Sequence, residues 1–115
     1  MAEQLDTILE WADLRTQFKQ QRELLEVTFQ DACVLAHNGG QFDITPEFLA
    51  GLQLRNHDNN NKLWVLDRNH VPVQILDVDD FIAQAVTTYN QAAEQFGTEY
   101  TELRRQRSVK AMVKL

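Results

Sequence analysis

Lys62–Phe81 reads KLWVLDRNHVPVQILDVDDF, and its pattern decides the fold. Leu63, Trp64 and Val65 form a short apolar run, and DRNH supplies turn residues. Val71, Val73 and Ile75 then alternate onto one face of a second strand. Pro72 cannot donate to a strand ladder, which places it at an edge, a strand start or an irregularity. Asp77 follows as a helix cap, with Asp79 and Asp80 in the first turn, where carboxylates meet the positive end of the helix dipole. Leu76 and Phe81 have the spacing of a hydrophobic staple. The stretch predicts a hairpin feeding a capped helix, and Trp64 is expected to pack in the core or across the hairpin.

Downstream, Phe81, Ala85, Tyr89, Ala92, Phe96, Tyr100 and Leu103 keep a three-four rhythm, the mark of a long amphipathic helix. Upstream, ITPEFL opens another helix: Thr45 caps it, Pro46 suits the first helical position, and Ile44 and Leu49 are spaced as a staple. The polar run NHDNNN ends it. Asn38, Gly39 and Gly40 tolerate positive φ. They predict either a short hairpin between ACVLA and QFDI, the favoured reading, or a helix end feeding a single strand. Before them, Leu5, Ile8 and Ala12, then Leu14, Phe18, Arg22, Leu25 and Phe29, recur at helical spacing with a shift of phase. One bent helix and two helices joined near Trp11–Asp13 fit that shift equally well. Together these elements predict an α+β fold, with long amphipathic helices and a short antiparallel hairpin or small sheet.

A chain of 115 residues, 43% hydrophobic and 24% charged, suits one globular domain rather than a disordered segment. The opening MAEQLDTILEW lacks the basic start and apolar run of a signal peptide. No stretch reaches the roughly 20 apolar residues needed to span a bilayer, so no membrane role is expected. The lone Cys33 excludes an internal disulfide and reads as a small buried hydrophobe. The net charge of −6 is split: residues 1–103 hold all 17 acids and six of the eleven Lys and Arg, whereas residues 104–115 hold only cations, five of them. An acidic body repels phosphate backbones, so nucleic acid is disfavoured as a partner.

Motifs for chemistry are lacking. His37, His57 and His70 are scattered, with neither an HExxH pair nor a Cys/His cluster. HNGGQFD lacks the lysine and hydroxyl of a phosphate loop, and Ser108 sits in a basic tail rather than a nucleophile turn. Asp79 and Asp80 read as cap chemistry. No catalytic, cofactor-binding or metal-binding residue is assigned, no cofactor is expected, and the chain is not expected to be an enzyme.

The order of an arginine-bearing helix, a turn, FDITPEFLAGLQ, LWVLDRNHVPVQI and DVDDFIAQAVTTYNQAAEQFGTEY resembles a domain of tailed-bacteriophage proteins. Such domains are encoded near tail-fibre genes or appended to tail-associated proteins. The resemblance covers residues 15–107 and carries no catalytic residues. It implies a structural or assembly role through protein–protein contacts, in the host cytoplasm during assembly or in the virion. The chain then divides into an N-terminal helical extension (1–14), a single α+β domain (15–107) and a basic tail (108–115). Expected partners are phage structural proteins or further copies of the chain, with a homo-oligomer, first a dimer, favoured. Candidate contacts are Trp11, Arg104, Arg105, Arg107, Lys110 and Lys114. The alternative is an acidic regulatory protein that binds a host or phage protein.

Overall fold

A computed structural model describes residues 2–58 and 60–114, with side chains from 4 to 110 at those positions. The elements run α1 (Ala2–Ala32), β1 (Val34–His37), β2 (Gly40–Asp43), α2 (Pro46–Asn56), β3 (Leu63–Leu66), β4 (Pro72–Ile75) and α3 (Val78–Lys114). The fold is α+β, with three helices and two antiparallel hairpins, β1–β2 and β3–β4. α1 is one unbroken helix across Trp11–Asp13 and across position 14. The chain forms two compact units: a sheet unit, Phe29–Glu94, and a helix-pair unit, Met1–Thr28 with Gln95–Leu115.

The sheet unit follows from local rules. Asn38 (φ 53°) and Gly39 (φ 85°) take the left-handed conformations that a two-residue hairpin turn requires, pairing His37 with Gly40 and Val34 with Asp43. The favoured hairpin reading of this segment is therefore the observed one. In the second hairpin Leu63 pairs with Ile75 and Val65 with Val73, and all four are buried. Their neighbours point outward, so Trp64 is 60% exposed and Leu66 57% exposed. Strand alternation keeps Trp64 out of the core, the first of its two expected places, and sets it on the outer face opposite Gln74 across the hairpin. Val71 is likewise exposed, because it belongs to the turn and Pro72 begins the strand.

Phe42, Ile44, Ile75, Val78 and Phe81 are buried almost completely. Phe81 makes edge-on contacts with Phe42 (centroids 5.2 Å apart), Phe48 (6.3 Å) and His37 (4.9 Å), a geometry aromatic rings favour. Thr45 caps α2, its Oγ1 accepting the Phe48 N–H at 3.1 Å. Asp77 caps α3, its Oδ1 accepting the Asp80 N–H at 3.1 Å. Leu76 is 58% exposed, so the buried apolar residue at the mouth of this helix is Val78.

The two hairpins are stitched through Asp67, which is only 8% exposed. Its carboxylate accepts the N–H groups of Asn69 (2.8 Å) and Val71 (3.0 Å) within its own turn, and that of Gln41 on β2 (3.2 Å). The Arg68 N–H donates to the Gln41 carbonyl at 2.8 Å, and Asn38 Nδ2 donates to the Gln74 carbonyl at 3.0 Å. Hydrogen bonds from Val71 above all, then Gln41 and Asn69, hold Asp67 below the ordinary carboxylate range against the opposing effect of burial.

Candidate functional site

Sequence builds the helix-pair unit differently. Along α1, Leu14, Phe18, Leu25 and Phe29 are the less exposed residues of the predicted stripe, whereas Leu5, Ile8, Ala12 and Arg22, also expected on it, are exposed. Phe18 lies beneath Lys110 Nζ, 5.7 Å from the ring centroid, a cation–π contact. Further along α1, Leu25 shares a surface hollow with Thr98 on α3. Later residues of α1 thus meet earlier residues of α3, and the two helices run antiparallel in this unit.

On one flank of the pair lies a groove of about 290 Å³. Arg15, Lys19 and Arg22 form one wall, and Arg104 and Arg107 form the other. Phe18, Tyr100 and Leu103 line it between the cations. The spacing makes this wall: Arg15, Lys19 and Arg22 stand at i, i+4 and i+7, one face of a helix. Residues 14–22 and 103–115 contain no Asp or Glu, yet they hold eight of the eleven Lys and Arg of the chain.

Among the described residues, Arg15, Lys19, Arg104 and Arg107 have no carboxylate within 4.0 Å. Arg22 reaches Glu26 at 4.0 Å in a solvent-exposed pair of small energetic weight. Five like charges around one groove repel one another, and an anion placed among them relieves that repulsion. The contrast with the rest of the chain is sharp: residues 29–94 carry nine acids against three Lys and Arg, the whole net charge of −6.

No protein-family model matches the chain, and no curated protein or solved structure matches it.

The predicted contact residues divide. Arg104 and Arg107 line the groove, and Lys110 covers Phe18. Arg105 is engaged elsewhere: its Nη2 and Nε meet the two oxygens of Glu102 at 2.6 and 3.0 Å. That fork raises the Arg105 pKa, through hydrogen bonding first, and lowers that of Glu102. Trp11 is 38% exposed on α1 and does not line the groove. The Lys114 side chain lies outside the described residues. Arg15 and Lys19 escaped the sequence reading, although their spacing with Arg22 in an acid-free stretch was a usable signal.

Elsewhere the polar chemistry is structural. Asn61, at φ 66°, donates from Nδ2 to Asp77 at 2.8 Å, and its Oδ1 accepts the Asp79 N–H at 2.8 Å. It acts as a second cap for α3. The Asp80 N–H first, then Asn61 Nδ2, hold the Asp77 pKa down by hydrogen bonding to its carboxylate. Cys33 is buried, and burial pushes its thiol up, away from the reactive thiolate. Among the described residues, no three His, Cys, Asp or Glu side chains converge as a metal site would need. Among them, no helix is long and apolar enough to cross a membrane.

Proposed function

We propose that this chain is a structural or assembly protein that works by protein–protein contact through its helix-pair unit. One observation carries the reading. Among the described side chains of that unit only Phe18 is buried, whereas Leu5, Ile8, Leu9, Leu24 and Val27 are between 52% and 65% exposed. Two long helices that bury so little against each other gain stability by covering those side chains with another surface. Completing the burial of one half-exposed leucine or isoleucine contributes about 1 kcal/mol. A hollow bordered by Leu24, Leu25 and Leu103 offers a further apolar place to dock.

The first partner is another copy of the chain. The resemblance of residues 15–107 to tail-associated phage domains supports an assembly role in a phage particle, exercised in the host cytoplasm or retained in the virion. Sedimentation velocity over a hundredfold range of concentration tests the contact. The expected result is a mass above that of one chain that rises with concentration. A single-chain mass at every concentration overturns the reading.

A further inference from the structure

We propose that the basic groove receives the acidic stripe Asp6–Asp13 of a second copy of this chain. The inference rests on the contact reading and gives that contact its chemistry.

Length and charge agree. Arg15 and Arg22 stand seven residues apart on one face of α1, a span of about 10 Å at 1.5 Å per residue. Asp6 and Asp13 stand seven residues apart on one face of the same helix, with Glu10 between them. Residues 1–14 hold four acids and no Lys or Arg, and residues 14–22 hold three cations and no acid. A helix bearing the stripe can therefore place two or more carboxylates opposite two or more cations without shifting register. Arginine forks take carboxylates bidentately, and four of the five groove cations are arginines. Leu9 is 58% exposed beside Glu10 and Asp13, and supplies an apolar side chain to meet Tyr100 and Leu103.

The same spacing sets the symmetry. Asp6 and Arg15 are nine residues apart, as are Asp13 and Arg22, which is about half a turn of rotation at 3.6 residues per turn. Stripe and groove thus lie on opposite flanks of α1, and a copy cannot fill its own groove with its own stripe. A second copy that docks its stripe keeps its groove open for a third. Such a contact is heterologous, and it builds rings or filaments rather than a closed two-fold pair.

A phosphate backbone fits less well. Residues 29–94, with a net charge of −6, repel it, and Phe18 is only 6% exposed, so its face cannot stack on a base.

The test uses the full chain in two variants. One reverses the groove (Arg15→Glu, Arg22→Glu) and the other reverses the stripe (Asp6→Lys, Asp13→Lys). Each alone is expected to self-associate at least tenfold more weakly than wild type. Their equimolar mixture is expected to form a 1:1 pair, because one intact groove then meets one intact stripe. Wild-type association should weaken as salt rises. If circular dichroism shows either double variant misfolded, the single reversals Lys19→Glu and Asp13→Lys are mixed in the same way.

Variants that associate as tightly as wild type overturn the groove assignment and leave the contact to the apolar faces. A mixture with no 1:1 pair also overturns it. A wild-type chain of single mass at every concentration removes the contact reading itself, and this inference with it. Tight binding of a fluorescein-labelled single-stranded oligonucleotide at physiological salt, lost in the groove variant, overturns the proposal in favour of phosphate.

Discussion

The sheet unit, Phe29–Glu94, and the helix-pair unit, Met1–Thr28 with Gln95–Leu115, use their side chains to opposite ends. The first buries Phe42, Ile44, Ile75, Val78 and Phe81 almost completely and directs polar atoms such as those of Asp67 and Asn61 to backbone partners. The second buries Phe18 alone among its described side chains, and lines a groove with unpaired Arg15, Lys19, Arg104 and Arg107. A unit whose interior satisfies itself is a scaffold. The second leaves apolar and cationic side chains open, and these are the side chains that the proposed contact covers. The same helices, α1 and α3, serve both, so this division follows from side chains rather than from secondary structure.

The largest effect is expected at Phe81. Phe81→Ala empties the aromatic cluster and should cost about 3–5 kcal/mol of stability, measured by urea unfolding followed by circular dichroism. A loss below about 1 kcal/mol would place the stabilising core elsewhere. Gly40 is next. A Cβ there would stand 2.7 Å from Val73 Cγ2 and 3.3 Å from Asp67 Cβ, where the two hairpins approach each other. Gly40→Ala should cost about 1–3 kcal/mol by the same assay, since buried, β-branched Val73 has little freedom to yield.

Acid sharpens the contrast in a third way. Asp67 and Asp77 have pKa values lowered in the folded state by hydrogen bonds from backbone N–H groups and, at Asp77, from Asn61. A depressed folded pKa gives stability that is present above the unfolded value, about 3.9 for Asp, and is lost as pH falls through the folded value. Unfolding midpoints should hold steady from neutral pH to about pH 5 and then fall. Asp67→Asn should flatten that decline, and an unchanged slope would remove Asp67 as its source. The smallest effect is expected at Leu24, 65% exposed on α1. Leu24→Gln should leave monomer stability within about 0.5 kcal/mol while weakening self-association in sedimentation.

What could be read beforehand was local. Asn38-Gly39, Thr45-Pro46 and Asp77 each announce a turn or a cap within four residues, and each does so in the structure. Trp64 stays out of the core although its type favours burial, because its place between inward Leu63 and Val65 commits it to the outer face of the hairpin. The bonds of Asp67 to Gln41 and of Asn61 to Asp77 join residues 26 and 16 positions apart, beyond any periodicity. The groove needs both: the spacing of Arg15, Lys19 and Arg22 was visible, but only antiparallel docking sets Arg104 and Arg107 across from them.

The contact of Phe18 with Lys110 also has a bearing on the order of folding. α1 is synthesised first, yet the part of α3 it meets is synthesised only after the whole of Phe29–Glu94. The hairpins close short loops and can form within microseconds, whereas pairing the helices as free coils requires closing a loop of the intervening chain. Folding of the sheet unit shortens that loop, and each halving of its effective length removes about 0.6 kcal/mol of closure cost. The groove, whose walls come from both α1 and α3, is therefore completed only after the hairpins have folded.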